Sequence, residues 1–190
     1  MPQMEEALEL LLKALRRGTN GGIAEPEHEL QYPLYPVPRV AVLGLALRGP
    51  RGVHCLPQWS PQELEKLRPR ALAGWWRDLA EAGRLAAAGR LELPWLRYPI
   101  LVFLPPEAAP LPQPHHQKLW SWFRVPVSEQ IRMPDGRLLA YECDARCGYH
   151  LASPDAVRWL VGMQPCGACP CGSPAPLYRM ERVRVAGAAG

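Results

Sequence analysis

Cys143-Asp144-Ala145-Arg146-Cys147-Gly148-Tyr149-His150 and, with eighteen residues between Cys147 and Cys166, Cys166-Gly167-Ala168-Cys169-Pro170-Cys171-Gly172 carry five of the six cysteines in the chain. The pattern C-x3-C, x18, C-x2-C-x-C comes close to two C-x2-C pairs separated by roughly 15 to 20 residues, the spacing of a four-cysteine zinc site. The reason is geometric. Each short loop must turn two thiolates toward one ion about 2.3 Å away, and small residues after the second cysteine let backbone amides approach the sulfurs. Gly148, Gly167 and Gly172 stand where that need arises. Six donors compete for four places: the first choice is Cys143, Cys147, Cys166 and Cys169, with Cys171 and then His150 as alternates. Zinc is expected ahead of an iron–sulfur cluster, because no three-cysteine run at a standard cluster spacing occurs. Disulfides are the remaining alternative, in the setting of a hyperthermophile's intracellular protein.

Working outward, Met133-Pro134-Asp135-Gly136 is a turn sequence between two expected strands, Lys118 to Val127 and Leu138 to Cys143, so a hairpin delivers Cys143 to the site. Ser153-Pro154-Asp155 opens a short helix, with Val157, Leu160 and Val161 on one side and Gly162 as its stop. From about Leu138 to Val185 the chain resembles the zinc-ribbon and treble-clef families, small modules in which two cysteine knuckles hold zinc from opposite ends of the fold. The helix between the knuckles leans toward the treble-clef arrangement. Cys169-Pro170-Cys171-Gly172-Ser173 with Tyr178 also resembles the start of the SEC-C zinc motif, without its closing ligand pair. The resemblance implies a closed, structural metal and a module that presents a surface.

Upstream, five prolines between Pro105 and Pro114 favour an extended connection. They place a boundary at residues 105–117 between a mixed α/β unit, 1–104, and a cysteine-rich metal-binding module, 118–190, in an α+β chain. His115 and His116 are expected as an exposed loop pair. Val40 to Leu47 and Val53 to Leu56 are expected as buried strands of a hairpin, with Cys55 as a small buried hydrophobe. Ser60, Pro61 and Glu63 form a capping-box helix start. The helix is expected to break near Pro69 and resume over Ala71 to Ala82, where Leu72, Trp75, Trp76 and Leu79 interleave with Arg70, Arg77 and Arg84. Tyr98 to Leu104 is a further buried strand. Leu8, Leu11, Leu12 and Leu15 at helical spacing predict an amphipathic helix over Met4 to Arg17, with Gly18 as its stop.

Apolar residues make up 48% of the chain and charged residues 21%, which excludes global disorder and a coiled coil. The apolar runs fall short of the roughly 20 residues that cross a bilayer, and no basic-then-apolar leader opens the chain, so a cytoplasmic protein without membrane association is expected. Nineteen arginines stand against three lysines and the single Asn20. A GC-rich genome or a thermophile's composition explains that bias; selection for bidentate phosphate contacts also does. Of the net charge of +4, nine basic against six acidic residues from Lys118 onward place +3 beside the cysteines. The expectation is therefore a zinc-stabilised, nucleic-acid-associated protein, binding DNA or RNA as a small subunit among other protein subunits of a nucleoprotein assembly. Arg146, Arg158, Arg179, Arg182 and Arg184 are its contacts, the last two alternating with Val183 and Val185 on a final strand. A protein-interaction module and an enzyme with its site in the N-terminal unit are the alternatives. No catalytic residue is named, because the chain has no phosphate-binding Gly-rich loop and no G-x-S-x-G elbow. The H-x-E of the zinc deaminases is also missing, although Pro165-Cys166-Gly167-Ala168-Cys169 matches the second half of that signature.

Overall fold

Two apolar runs, Val40–Leu43 and Ile100–Leu104, are buried at every residue. Burial on both faces is what a central parallel strand requires, and burying each such aliphatic side chain contributes about 1.5–3 kcal/mol. A computed structural model describes residues 28–180 apart from 161 and 174. The helix expected over Met4 to Arg17, and Arg182 and Arg184 with their strand, lie outside the described residues. Strands β1 (Val40–Leu43), β2 (Val53–Leu56), β3 (Ala71–Trp75), β4 (Ile100–Leu104) and β5 (Val127–Arg132) pair in parallel in the order β2-β1-β3-β4-β5. The sheet then continues antiparallel through β6 (Leu138–Glu142), β7 (Tyr149–Leu151), β9 (Leu177–Met180) and β8 (Met163–Pro165), giving nine strands among the described residues. Helices plus this mixed sheet place the chain in the α+β class, as its sequence implies, with the cysteines at the antiparallel end. Among the described residues no helix is long and apolar enough to cross a membrane.

The two faces of the parallel half are covered differently. Ala41, Leu43, Leu72, Ile100, Val102 and Leu104 face helices α1 (Pro61–Leu67), α2 (Trp76–Ala87) and α3 (Gln113–Phe123) through Leu64, Leu79, Ala82, Leu119 and Phe123. The alternate residues Val40, Val42, Ala71, Ala73, Leu101 and Phe103 face the extended segment carrying Leu30, Tyr32, Val37, Leu45 and Leu47. That strict alternation is the period-2 geometry of a strand. Helices α2 and α3 meet at Gly83, where an added Cβ would lie 2.2 Å from the Trp122 ring. Gly83→Ala is expected to cost about 1–3 kcal/mol by overpacking, read as a lower urea midpoint at unchanged slope.

Local expectations hold where a cap or turn decides them. Ser60 accepts from the Glu63 amide at 3.3 Å and its hydroxyl donates to the Glu63 carboxylate at 2.9 Å, starting α1 at Pro61. Gly136, at φ +93°, closes the β5–β6 hairpin. Three expectations are corrected. First, β1 and β2 are parallel rather than a hairpin. Their connection crosses the sheet face, burying Leu45 and Leu47, and the half-buried Cys55 thiol ties it down by bonding Leu47 O at 3.0 Å and accepting Leu47 N–H at 3.2 Å. Second, Ala71–Trp75 is strand rather than helix. Pairing with β1 and β4 overrides the helix propensity of Ala and Leu, and it sends Trp75 to one face of the sheet and Trp76 to the other. Third, Gln113–Phe123 is helix rather than loop and strand. Pro114 lies in its first turn, Leu119 and Phe123 are buried one turn apart, and Arg124 ends it at φ +56°. Residues 105–117 thus hold a 3₁₀ turn, Pro106–Ala108, and the start of α3, while β4 and β5 on either side pair directly.

Candidate metal centre

β6 ends at Glu142, so Cys143 opens a tight loop in which its N–H bonds Gly148 O at 2.8 Å. Gly148 is required there: a Cβ would meet Tyr178 O at 2.4 Å, where β9 passes. The second loop leaves β8, and Cys166 N–H bonds Leu177 O at 2.9 Å, anchoring it beside β9. Pairing of His150 with Leu177 across β7 and β9 brings both loops to one place.

Four donor atoms there, the sulfurs of Cys143, Cys169 and Cys171 and a ring nitrogen of His150, all lie within 4.8 Å of one another. Cys143 Sγ is 3.0 Å from Cys169 Sγ, which is 3.0 Å from Cys171 Sγ, which is 3.3 Å from His150 Nε2. Tetrahedral ligands with 2.3 Å bonds would sit about 3.8 Å apart, so one ion at the centre reaches all four after small adjustments. The surroundings suit it. His150 Nδ1 faces Pro176 O at 3.3 Å, which places the ring proton on Nδ1 and leaves the Nε2 lone pair for the cluster. Amide N–H groups of Ala145 and Cys171 approach Cys143 Sγ at 3.3 Å and Cys169 Sγ at 3.4 Å. Such bonds stabilise thiolates.

The thiols share their protons. Burial pushes the Cys143 thiol up, but hydrogen bonds from Cys169, the Ala145 amide, Cys147 and Cys171 outweigh it and hold Cys143 below the ordinary thiol value. Cys169 is pushed well above that value, by burial first and then by hydrogen bonds with Cys143 and Cys171. Cys147 is also raised, by burial and by its neighbour Cys143. A bound cation would favour the thiolate forms by balancing their charge.

Of the first-choice ligands, Cys143 and Cys169 come together with both alternates, Cys171 and His150. Cys147 Sγ touches this group at 3.5 Å from Cys143 and 3.9 Å from Cys169. Cys166 is exposed, its thiol bonding Leu177 O at 3.4 Å instead. Cys166→Ser is expected to leave metal content unchanged within error, measured by elemental analysis of the purified protein. The three described arginines of the expected contact set, Arg146, Arg158 and Arg179, are all exposed, and Arg158 pairs with Asp155 at 2.8 Å.

Three features escaped the sequence. Glu129, 4% exposed, accepts from Leu111 N–H at 3.1 Å and Tyr149 O–H at 2.6 Å and meets His116 Nε2 at 2.7 Å, joining α3 to the antiparallel strands. Neither His115 nor His116 is a free loop residue: His115 stacks on Trp76 with centroids 4.0 Å apart. Their one signal was a charged residue inside an otherwise strand-like run. The third is Arg132, fully buried behind the hairpin turn. Its guanidinium donates to Gln130 Oε1 at 3.0 and 2.9 Å, Gly136 O at 2.6 Å and Glu29 O at 2.8 Å, and lies 5.0 Å over the Phe103 ring.

No family model matches the chain, and no curated protein matches it. Among solved structures it is similar to an open conformation of a 2-hydroxyisobutyryl-CoA ligase in complex with 2-HIB-AMP and CoA. The TM-score is 0.50 at 11% identity, over 73% of this chain and 43% of the ligase chain. The likeness is therefore one of fold, and this chain spans under half the length of that protein. The fold and the cluster together define the class: an α+β protein with a Cys₃His group able to hold a metal ion.

Proposed function

We propose that the cluster binds zinc as a structural ion and that the protein is a nucleic-acid-associated one, acting as a small subunit beside other proteins in a nucleoprotein assembly. The observation that carries the first part is the His150 ring, its Nδ1 committed to Pro176 O and its Nε2 turned into three thiols. A histidine oriented by a carbonyl among soft sulfur donors suits zinc. Thiolates in this number close the coordination shell, so the ion supplies folding energy rather than a reactive water. The zinc-knuckle character of the two loops is in keeping with that role. Support for nucleic acid comes from Arg146, Arg158 and Arg179, exposed guanidinium groups in the same antiparallel half of the chain as the cluster. Binding of labelled single-stranded and duplex DNA and RNA, followed from about 50 to 200 mM salt, is expected to weaken steeply. Absence of binding to every form at the lowest salt overturns the nucleic-acid reading.

A second reading is favoured by one cavity of about 1000 Å³ at the C-terminal ends of β3 and β4, lined by Trp75, Trp76, Phe103, His115 and Trp159. Open α/β sheets place small ligands at that end of their strands. The cavity is mainly apolar, so an apolar fluorescent probe displaced by Trp76→Ala tests it.

A further inference from the structure

At the opposite end of the parallel strands, Arg39, Arg68, Arg70 and Arg97 line one open cavity of about 390 Å³ with Pro94 and Trp95. Three of these arginines are set in a row by the sheet. Arg39 precedes β1, Arg70 precedes β3, and Arg97 lies just before β4. Their backbones are bonded in series, Arg70 N–H to Arg39 O at 2.8 Å and Arg97 N–H to Arg70 O at 3.0 Å. Neighbouring strands are about 4.8 Å apart, so the row has a fixed spacing independent of side-chain contacts. Arg68 is added by the end of α1, where it takes φ +53° as the helix cap.

Among the described residues no carboxylate pairs with the four guanidinium groups. Arg39 bonds Leu67 O at 3.1 Å and Arg97 bonds Leu96 O at 2.7 Å. Arg68 lies 5.3 Å from the centroid of the Trp95 ring and Arg70 4.9 Å from that of Tyr98. Among the described residues no acidic one lines the cavity, and all four arginines are exposed. Concentrating four like charges costs repulsion that an anionic ligand relieves, and carbonyl and ring contacts fix the planar forks for bidentate phosphate contact.

We propose that this groove binds the phosphodiester backbone of a single-stranded nucleic acid, with Trp95 beside it as a surface for a base. The inference rests on the nucleic-acid reading above but assigns the contact to a different part of the molecule. An anionic membrane surface is disfavoured because none of the exposed large apolar residues among those described, Leu34, Tyr35, Trp120, Val157 and Trp159, lines the groove. The groove is an open cleft across the N-terminal ends of the central strands β1, β3 and β4, which suits a strand running through it more than a single nucleotide.

The test uses the full chain, a fluorescein-labelled single-stranded oligonucleotide and anisotropy over a salt series. Arg70→Ala/Arg97→Ala is expected to weaken binding at least about tenfold. It should also flatten the salt slope by about 1.4, two phosphate contacts of about 0.7 each on single strands. Arg158→Ala/Arg179→Ala serves as the comparison, and metal content and melting temperature check that both variants fold. Unchanged affinity and slope in Arg70→Ala/Arg97→Ala, with loss in Arg158→Ala/Arg179→Ala, overturns the groove and leaves the nucleic-acid reading standing. Wild-type protein that binds no oligonucleotide overturns both. Tighter binding of duplex than of single strand, lost in Arg70→Ala/Arg97→Ala, overturns the single-strand form of the proposal.

Discussion

Cys169→Ser is expected to lower bound metal from about one ion per chain to near zero and to destabilise the antiparallel end by several kcal/mol, toward the roughly 10 kcal/mol that structural zinc supplies. Cys169 is the choice because its sulfur touches those of Cys143, Cys147 and Cys171 at 3.0, 3.9 and 3.0 Å. Without it, Cys143, Cys171 and His150 leave the cluster with three of its four donors. Elemental analysis and a urea titration of wild type and variant read the two effects, and a chelator should reproduce the second in wild type. Acid acts in the same direction. Thiols must lose protons to bind metal, so affinity falls as pH falls and protons reclaim the sulfurs. Burial pushes the Cys169 thiol up, which adds to the proton's competition with a cation there. Full metal occupancy in Cys169→Ser would remove the centre from the position assigned to it.

Arg132→Ala is expected to cost about 3–5 kcal/mol, the second large effect. Its guanidinium is fully buried, and its partners are the carbonyls of Gly136 and Glu29 and the Gln130 amide oxygen, all neutral. Burial pulls its pKa down to about 9, so it remains charged at neutral pH. Truncation leaves a cavity and strands the buried acceptors of Gln130 and Gly136, each unmet acceptor costing about 1–3 kcal/mol, while the carbonyl of the exposed Glu29 can turn to water. Arg132→Lys keeps the charge but cannot reach all three, and should fall between. The measurement is the denaturation midpoint. Because Arg132 ties the β5–β6 turn to residue 29, protection from hydrogen exchange should fall in both segments together. A loss under about 1 kcal/mol for Arg132→Ala would show that the acceptors are rehydrated in its absence.

How much was legible depended on the range of the forces involved. The capping box at Ser60, the Asp135-Gly136 turn and the 3₁₀ start at Ser153-Pro154 were readable because each is decided within a few residues. Ala71–Trp75 was not. Its alanines and leucine favour a helix, and Gly74 lies where a Cβ would stand 2.9 Å from Leu43 O, a contact known only once β1 is beside it. The same is true of α3, whose proline-rich approach resembles a linker until Leu111 is seen buried and its amide bonded to Glu129.

By itself the sequence determined the α+β class, the local caps and turns, and the existence of a thiol-rich site after Leu138. Covalent spacing limits which donors can converge, and that is written in the chain. Only the tertiary structure decided which donors do converge. Cys166 and Cys171 sit five residues apart on one loop, yet pairing of β7 with β9 sets Cys171 against His150 while the Cys166 thiol bonds Leu177 O instead. Spacing bounds how far a residue can reach, whereas strand pairing fixes the direction its side chain takes.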